Sequence, residues 1–108
     1  MIVKTAQYKY YGKDRLDITV KGQDPLGRYF APNWSMVMRL KEGLMSEEIY
    51  TKKYKDILSS VPEYIWEKLL SKPNVTLVCY CASSSFCHRY ILAEELRIRG
   101  ATYQGEVK

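Results

Sequence analysis

The side chains best suited to chemistry are gathered in one stretch. Cys79-Tyr80-Cys81-Ala82-Ser83-Ser84-Ser85-Phe86-Cys87-His88-Arg89 holds every cysteine and the single histidine of the 108-residue chain. Arg89 offers a planar fork for phosphate or carboxylate. His88 offers a proton near neutral pH, and a Cys87 thiol exposed in the first turn of a helix has a lowered pKa. Ser83, Ser84 and Ser85 can turn their hydroxyls to one anion. The stretch joins an apolar run to an amphipathic run, as where a strand hands over to a helix. Ligands of open α/β sheets bind beyond the carboxyl ends of strands, and the free N–H groups at a helix start favour an anion. The expectation is a pocket for a small phosphorylated or anionic ligand such as a nucleotide. Read without function, the same residues give a serine-rich turn, an Arg89 paired with an acidic side chain and a structural His88.

Spacing weighs against other chemistries of this stretch. Structural zinc draws ligand pairs from separate turns, whereas Cys79 and Cys81 belong to the expected buried strand and Cys87 and His88 are adjacent. No metal and no cofactor is expected, and Cys79 reads as a small core residue. Cys79 and Cys81, two apart in a strand, lie about 6.6 Å from each other, near the limit for a disulfide. Cys81 and Cys87 could approach across the loop, but a reducing compartment disfavours a permanent bond. A phosphatase-type loop needs Arg after five residues; counted from Cys81 that place holds Cys87. There is no C-x-x-C pair. A cysteine-dependent enzyme using Cys87 with His88 remains an alternative, although adjacent residues on a helix point about 100° apart.

The elements that must position this stretch follow from pattern. Residues 2–6 are β-branched and terminal, and 16–20 alternate apolar and polar, so both read as strands. The 21–27 segment is rich in breakers. Asn33 or Ser35 caps a short helix closed by Gly43. Ser46 caps a second helix, with Glu47 and Glu48 in its first turn. Pro62 opens a third, and 75–81 is the continuous apolar run of a central parallel strand. A last helix starts near Phe86 or Cys87 and ends at Gly100, with a final strand over 101–107. Strands separated by helices predict one α/β domain over 1–108, a small three-layer sandwich with a mostly parallel sheet. Tyr50 and Tyr54 stand one helical turn apart; with Arg28 they could form the wall opposite the serine loop, and core packing is the plainer reading of the two tyrosines.

Seventeen basic residues against twelve acidic give a net charge of +5, alongside ten tyrosines. Basic residues interleaved with aromatics suit nucleic acid, but the lysines are dispersed and form no block. A nucleic-acid- or protein-binding module working through this Tyr-rich surface is a further alternative, less favoured than the small ligand. The longest apolar run is too short to cross a bilayer, and 1–4 lacks the apolar block of a signal peptide. A cytoplasmic protein with no membrane partner is expected; the sequence does not set an oligomeric state.

The arrangement also resembles a known family, domain of unknown function 488. The resemblance rests on Leu77-Val78-Cys79-Tyr80-Cys81, then Phe86-Cys87-His88-Arg89-Tyr90-Ile91-Leu92-Ala93-Glu94. Ala31-Pro32-Asn33-Trp34 resembles that family's Pro-containing segment, and Tyr50-Thr51-Lys52-Lys53-Tyr54 its Tyr-Thr-x-x-Tyr helix. This chain carries Cys81 and three serines where many members carry an acidic residue and a Gly-containing loop. The resemblance implies an α/β fold, a site at Cys87, His88 and Arg89, and a compact variant of the sort found in bacteria and their phages. It supplies no reaction.

Overall fold

The computed structural model describes residues 1–81 and 86–107. Four strands, β1 (Ile2–Gln7), β2 (Arg15–Asp17), β3 (Asn74–Cys79) and β4 (Thr102–Glu106), form a sheet in the order β2-β3-β1-β4, every pairing parallel. A 3-10 turn at Gly27–Phe30 follows β2. Helices α1 (Trp34–Lys41), α2 (Glu47–Ser59) and α3 (Glu63–Leu70) precede β3, and α4 (His88–Ile98) links β3 to β4. This is the α/β sandwich expected from the sequence.

The local reasons are largely those read from the residues. The Asn33 side chain accepts from the Met36 N–H and Ser46 Oγ from the Ile49 N–H, which fixes the starts of α1 and α2. Gly43 and Gly100 take positive φ just past α1 and α4, where a side chain would be strained. β2 is shorter than the pattern suggests because the Asp17 carboxylate accepts from both the backbone N–H and the hydroxyl of Thr19. That side-chain turn draws the chain out of the ladder after Asp17. The 3-10 turn lies so close that a Cβ on Gly27 would collide with the Asp17 carbonyl oxygen.

One apolar cluster joins the helices to the sheet. Val3, Leu16, Ile18, Val75 and Leu77 from the strands meet Met36, Tyr54, Trp66, Leu92 and Leu96 from the helices. Alternation sends Thr76 and Val78 to the opposite face, where both are fully buried. The 8–14 connection covers that face. Thr76 donates its hydroxyl to the Asp14 carboxylate at 2.6 Å, Tyr10 donates to the same carboxylate at 2.6 Å, and the Arg15 guanidinium holds the Tyr8 and Tyr10 carbonyls. Handedness accounts for this division. The connections β2 to β3 and β3 to β4 advance one way across the sheet, and β1 to β2 returns the other way, so right-handed crossovers place them on opposite faces. The chain therefore departs in opposite directions from the adjacent ends of β1 and β3.

Burial pushes the Asp14 carboxyl up, but the hydrogen bonds from Thr76 and Tyr10 outweigh it and hold it below the ordinary carboxylate value. The stability this contributes is present above that ordinary value and is lost as pH falls through the lowered one. Thr76→Val should cost about 1–3 kcal/mol in urea unfolding at neutral pH. It should also flatten the acid limb of the stability profile. A neutral substitution with an unchanged acid limb would contradict the clasp.

Candidate functional site at the carboxyl edge of the sheet

A cleft of about 560 Å³ lies beyond the carboxyl ends of β2 and β3. Its floor is built where β3 ends and α4 begins, from Cys79, Cys81, Cys87 and His88. α1 supplies one wall through Trp34, Val37, Met38 and Lys41, α2 adds Tyr50, and Thr19 to Lys21 closes the β2 side. Trp34 stays half exposed, and the Lys21 ammonium sits 4.7 Å over its ring. Tyr80, largely exposed, stacks on Tyr8 with centroids 4.2 Å apart, pairing the ends of β3 and β1. Lys21 and Lys41 are the charged side chains among the described lining residues, and no carboxylate is among them.

The three cysteines converge. Cys79 and Cys87 are joined as a disulfide, Cys81 is free, and all three Sγ atoms lie within 4.8 Å of one another. Cys79 is buried, as the sequence reading has it; the pairing corrects that reading, which weighs only the Cys79–Cys81 and Cys81–Cys87 pairs. Alternation turns Cys79 and Cys81 to the same face, and Cys87, as the residue before α4, is brought back over them. The Cα atoms of Cys79 and Cys87 are 7.9 Å apart, wider than a disulfide ordinarily spans. Burial pushes the Cys81 thiol up, against the opposing pull of the Arg89 charge.

Behind this floor lies Arg89, with no exposed surface. Its Nη1 donates to Cys79 Sγ at 2.8 Å and to the Cys81 carbonyl at 3.1 Å. Nε and Nη2 grip the Glu106 carboxylate at 3.2 and 2.9 Å, and Nη2 also donates to the Tyr90 hydroxyl. Burial alone would raise the Glu106 carboxyl, but the hydrogen bonds and charge of Arg89 hold it below its usual value. The acidic partner weighed for Arg89 in the sequence is thus Glu106, on the last strand. Arg89 does not line the cleft, so its expected role as the direct anion clamp gives way to one in which it ties β3, α4 and β4 together.

His88 is buried, and burial pushes its pKa down to about 4, so the ring is neutral at pH 7. Its Nε2 lies 2.7 Å from the Ile18 carbonyl oxygen, which requires that nitrogen to be the donor. Nδ1 is then the acceptor, 3.7 Å from Cys87 Sγ. The expectation that adjacent residues diverge assumed both were helical. Cys87 is instead extended, with φ −157°, and its sulfur swings onto the imidazole.

The remaining expected site residues divide. Tyr50 lines the cleft, its ring edge-on to Phe86 at 5.5 Å, and burial raises its hydroxyl pKa strongly. Tyr54 is core: it donates to the Phe30 carbonyl at 2.6 Å and packs against His88. Arg28 is exposed on the 3-10 turn and does not line the cleft. Neither forms the opposite wall; α1 does. Ser83, Ser84 and Ser85 lie outside the described residues. Sequence reasoning missed Lys21, Trp34, Lys41 and Glu106, since only the strand order and the seating of α1 bring them to β3.

Removing Glu106 leaves a buried, unpaired guanidinium. Glu106→Ala should therefore lower stability by about 3 kcal/mol, with Glu106→Gln recovering part of it. Urea unfolding measures both, and an unchanged midpoint in Glu106→Ala would show the pair to be dispensable.

Among the described residues no helix is long and apolar enough to cross a membrane. No curated protein and no solved structure matches the chain. A family model does: DUF488-N3a, described as the active DUF488-N3 subclade, matches residues 6–100. The match takes in β2, β3, α1 to α4 and every described residue of the cleft, and on it the chain belongs to the DUF488 family.

Proposed function

We propose that the cleft binds a small anionic ligand with a flat ring, of which a nucleotide is the fitting example. The observation that carries this is the cleft's composition: two lysines, no carboxylate, an aromatic wall and a neutral floor beyond the carboxyl ends of β2 and β3. Its volume is in the range of small-molecule sites. Lys21 and Lys41 would hold the charge, Trp34 would stack on the ring, and the neutral His88 would keep the floor uncharged. The Ser83–Ser85 loop, adjoining Cys81 in the chain, is proposed to add hydroxyls to the same anion.

A thermal-shift panel of nucleoside phosphates and sugar phosphates tests this. A ligand at about a hundred times its Kd should raise the Tm by on the order of 10 °C. Lys21→Ala/Lys41→Ala, altering two exposed side chains, should remove most of that shift. No stabilisation by any member, or an equal shift in the double variant, would overturn the reading.

A second reading is a cysteine-dependent reaction at Cys87. The contact between its sulfur and His88 Nδ1 favours it, because the Ile18 carbonyl fixes the tautomer that leaves Nδ1 able to take the thiol proton. The description of the matching subclade as active agrees with chemistry here. In the reduced protein Cys87 should then be alkylated by iodoacetamide faster than a free thiol at neutral pH. A rate equal to or below that of free cysteine would exclude it.

A further inference from the structure

We infer that Cys79, Cys81 and Cys87 form a three-thiolate site for a soft divalent metal ion of the zinc type, with its fourth position open to the cleft. The inference does not rest on what else occupies the cleft.

Two features point there, both for the reduced protein, since the structure holds Cys79 and Cys87 as a disulfide. The Sγ atoms all lie within 4.8 Å of one another, and two thiolates bonded at about 2.3 Å to one tetrahedral ion stand about 3.8 Å apart. The surroundings suit thiolates: the buried guanidinium of Arg89 donates to Cys79 Sγ at 2.8 Å and to the Cys81 carbonyl. Such a hydrogen bond from behind orients a ligating sulfur and offsets its negative charge.

The chain supplies three ligands of one kind: Cys79 ends β3, Cys81 lies two residues beyond it, and Cys87 is the N-cap of α4. Three thiolates of this softness select zinc or its analogues over magnesium or calcium. Closed structural sites have four protein ligands; three with an open position is the arrangement of catalytic zinc. All three cysteines line the cleft, so the open position would face whatever ligand binds there. An anionic oxygen held by Lys21 and Lys41, or a water, would complete the tetrahedron. Binding converts each thiol to a thiolate and releases its proton to solvent, up to three per ion. It also excludes Cys87 as a free nucleophile.

The test uses the full chain, reduced and metal-free, with three thiols confirmed by titration. Co2+ is the probe, because cobalt bound to thiolates absorbs in the near ultraviolet and a tetrahedral ion gives intense visible bands. One equivalent should bind with both signatures, release protons, and be displaced by Zn2+. Zn2+ should slow iodoacetamide labelling of the three cysteines at least tenfold. Cys81→Ser, at the half-exposed ligand, should weaken Co2+ binding at least tenfold while the fold, followed by circular dichroism, persists. Absent thiolate-to-cobalt absorption in the fully reduced protein would overturn the site, as would equal affinity in Cys81→Ser. A Cys79–Cys87 bond that survives excess reductant would overturn it too. If Cys81→Ser fails to fold, the wild-type labelling protection decides alone.

Discussion

The buried pair of Arg89 and Glu106 is the interaction on which the carboxyl edge depends. A guanidinium with no exposed surface carries a large desolvation cost, which only a close carboxylate and a full set of acceptors can offset. Glu106 provides the charge from β4, while Cys79 Sγ and the Cys81 carbonyl provide acceptors from the end of β3. Because Arg89 is the second residue of α4, the pair joins the departing strand, the next helix and the last strand at one point. The contacts that satisfy this cation also set where the β3 cysteines stand.

The cleft follows from that anchoring together with the sheet's connectivity. The helices gather on one face of the sheet, and α1 walls the cleft beyond β2 and β3. His88 is held by the Ile18 carbonyl just beyond β2 and by the Tyr54 ring from α2, so the start of α4 is tied to the other side of the cleft as well. The floor is uncharged at the imidazole, and the two lysines stand on long stems at the rim.

Much of the fold was legible because local signals agreed with one another. The 75–81 run identified the central strand, Asn33 and Ser46 the helix starts, and Gly43 and Gly100 their ends. β2 was overread because alternation at Leu16 to Val20 does not reveal that Asp17 will capture the Thr19 backbone. The site was half legible. Its cysteines, His88 and Arg89 announced themselves by type, but their mutual geometry did not. Cys87 is extended and not helical, and the buried Cys79 pairs with it across eight residues, a partnership that spacing alone does not show. Glu106 and Lys41 could not be found from spacing, since their places depend on the order β2-β3-β1-β4 and on how α1 seats against it.

The cleft beyond β2 and β3, and not the face covered by the 8–14 connection, is the proposed meeting place of this DUF488 protein and a small anionic ligand. The two tryptophans make this directly measurable, since Trp34 lines the cleft and Trp66 is buried in the core. Titration of the 15N-labelled protein with the nucleotide that stabilises it most should shift the Trp34 indole resonance and the Lys41 amide, leaving the Trp66 indole in place. Shifts confined to Tyr8–Asp14, or none at Trp34 at saturation, would contradict the account.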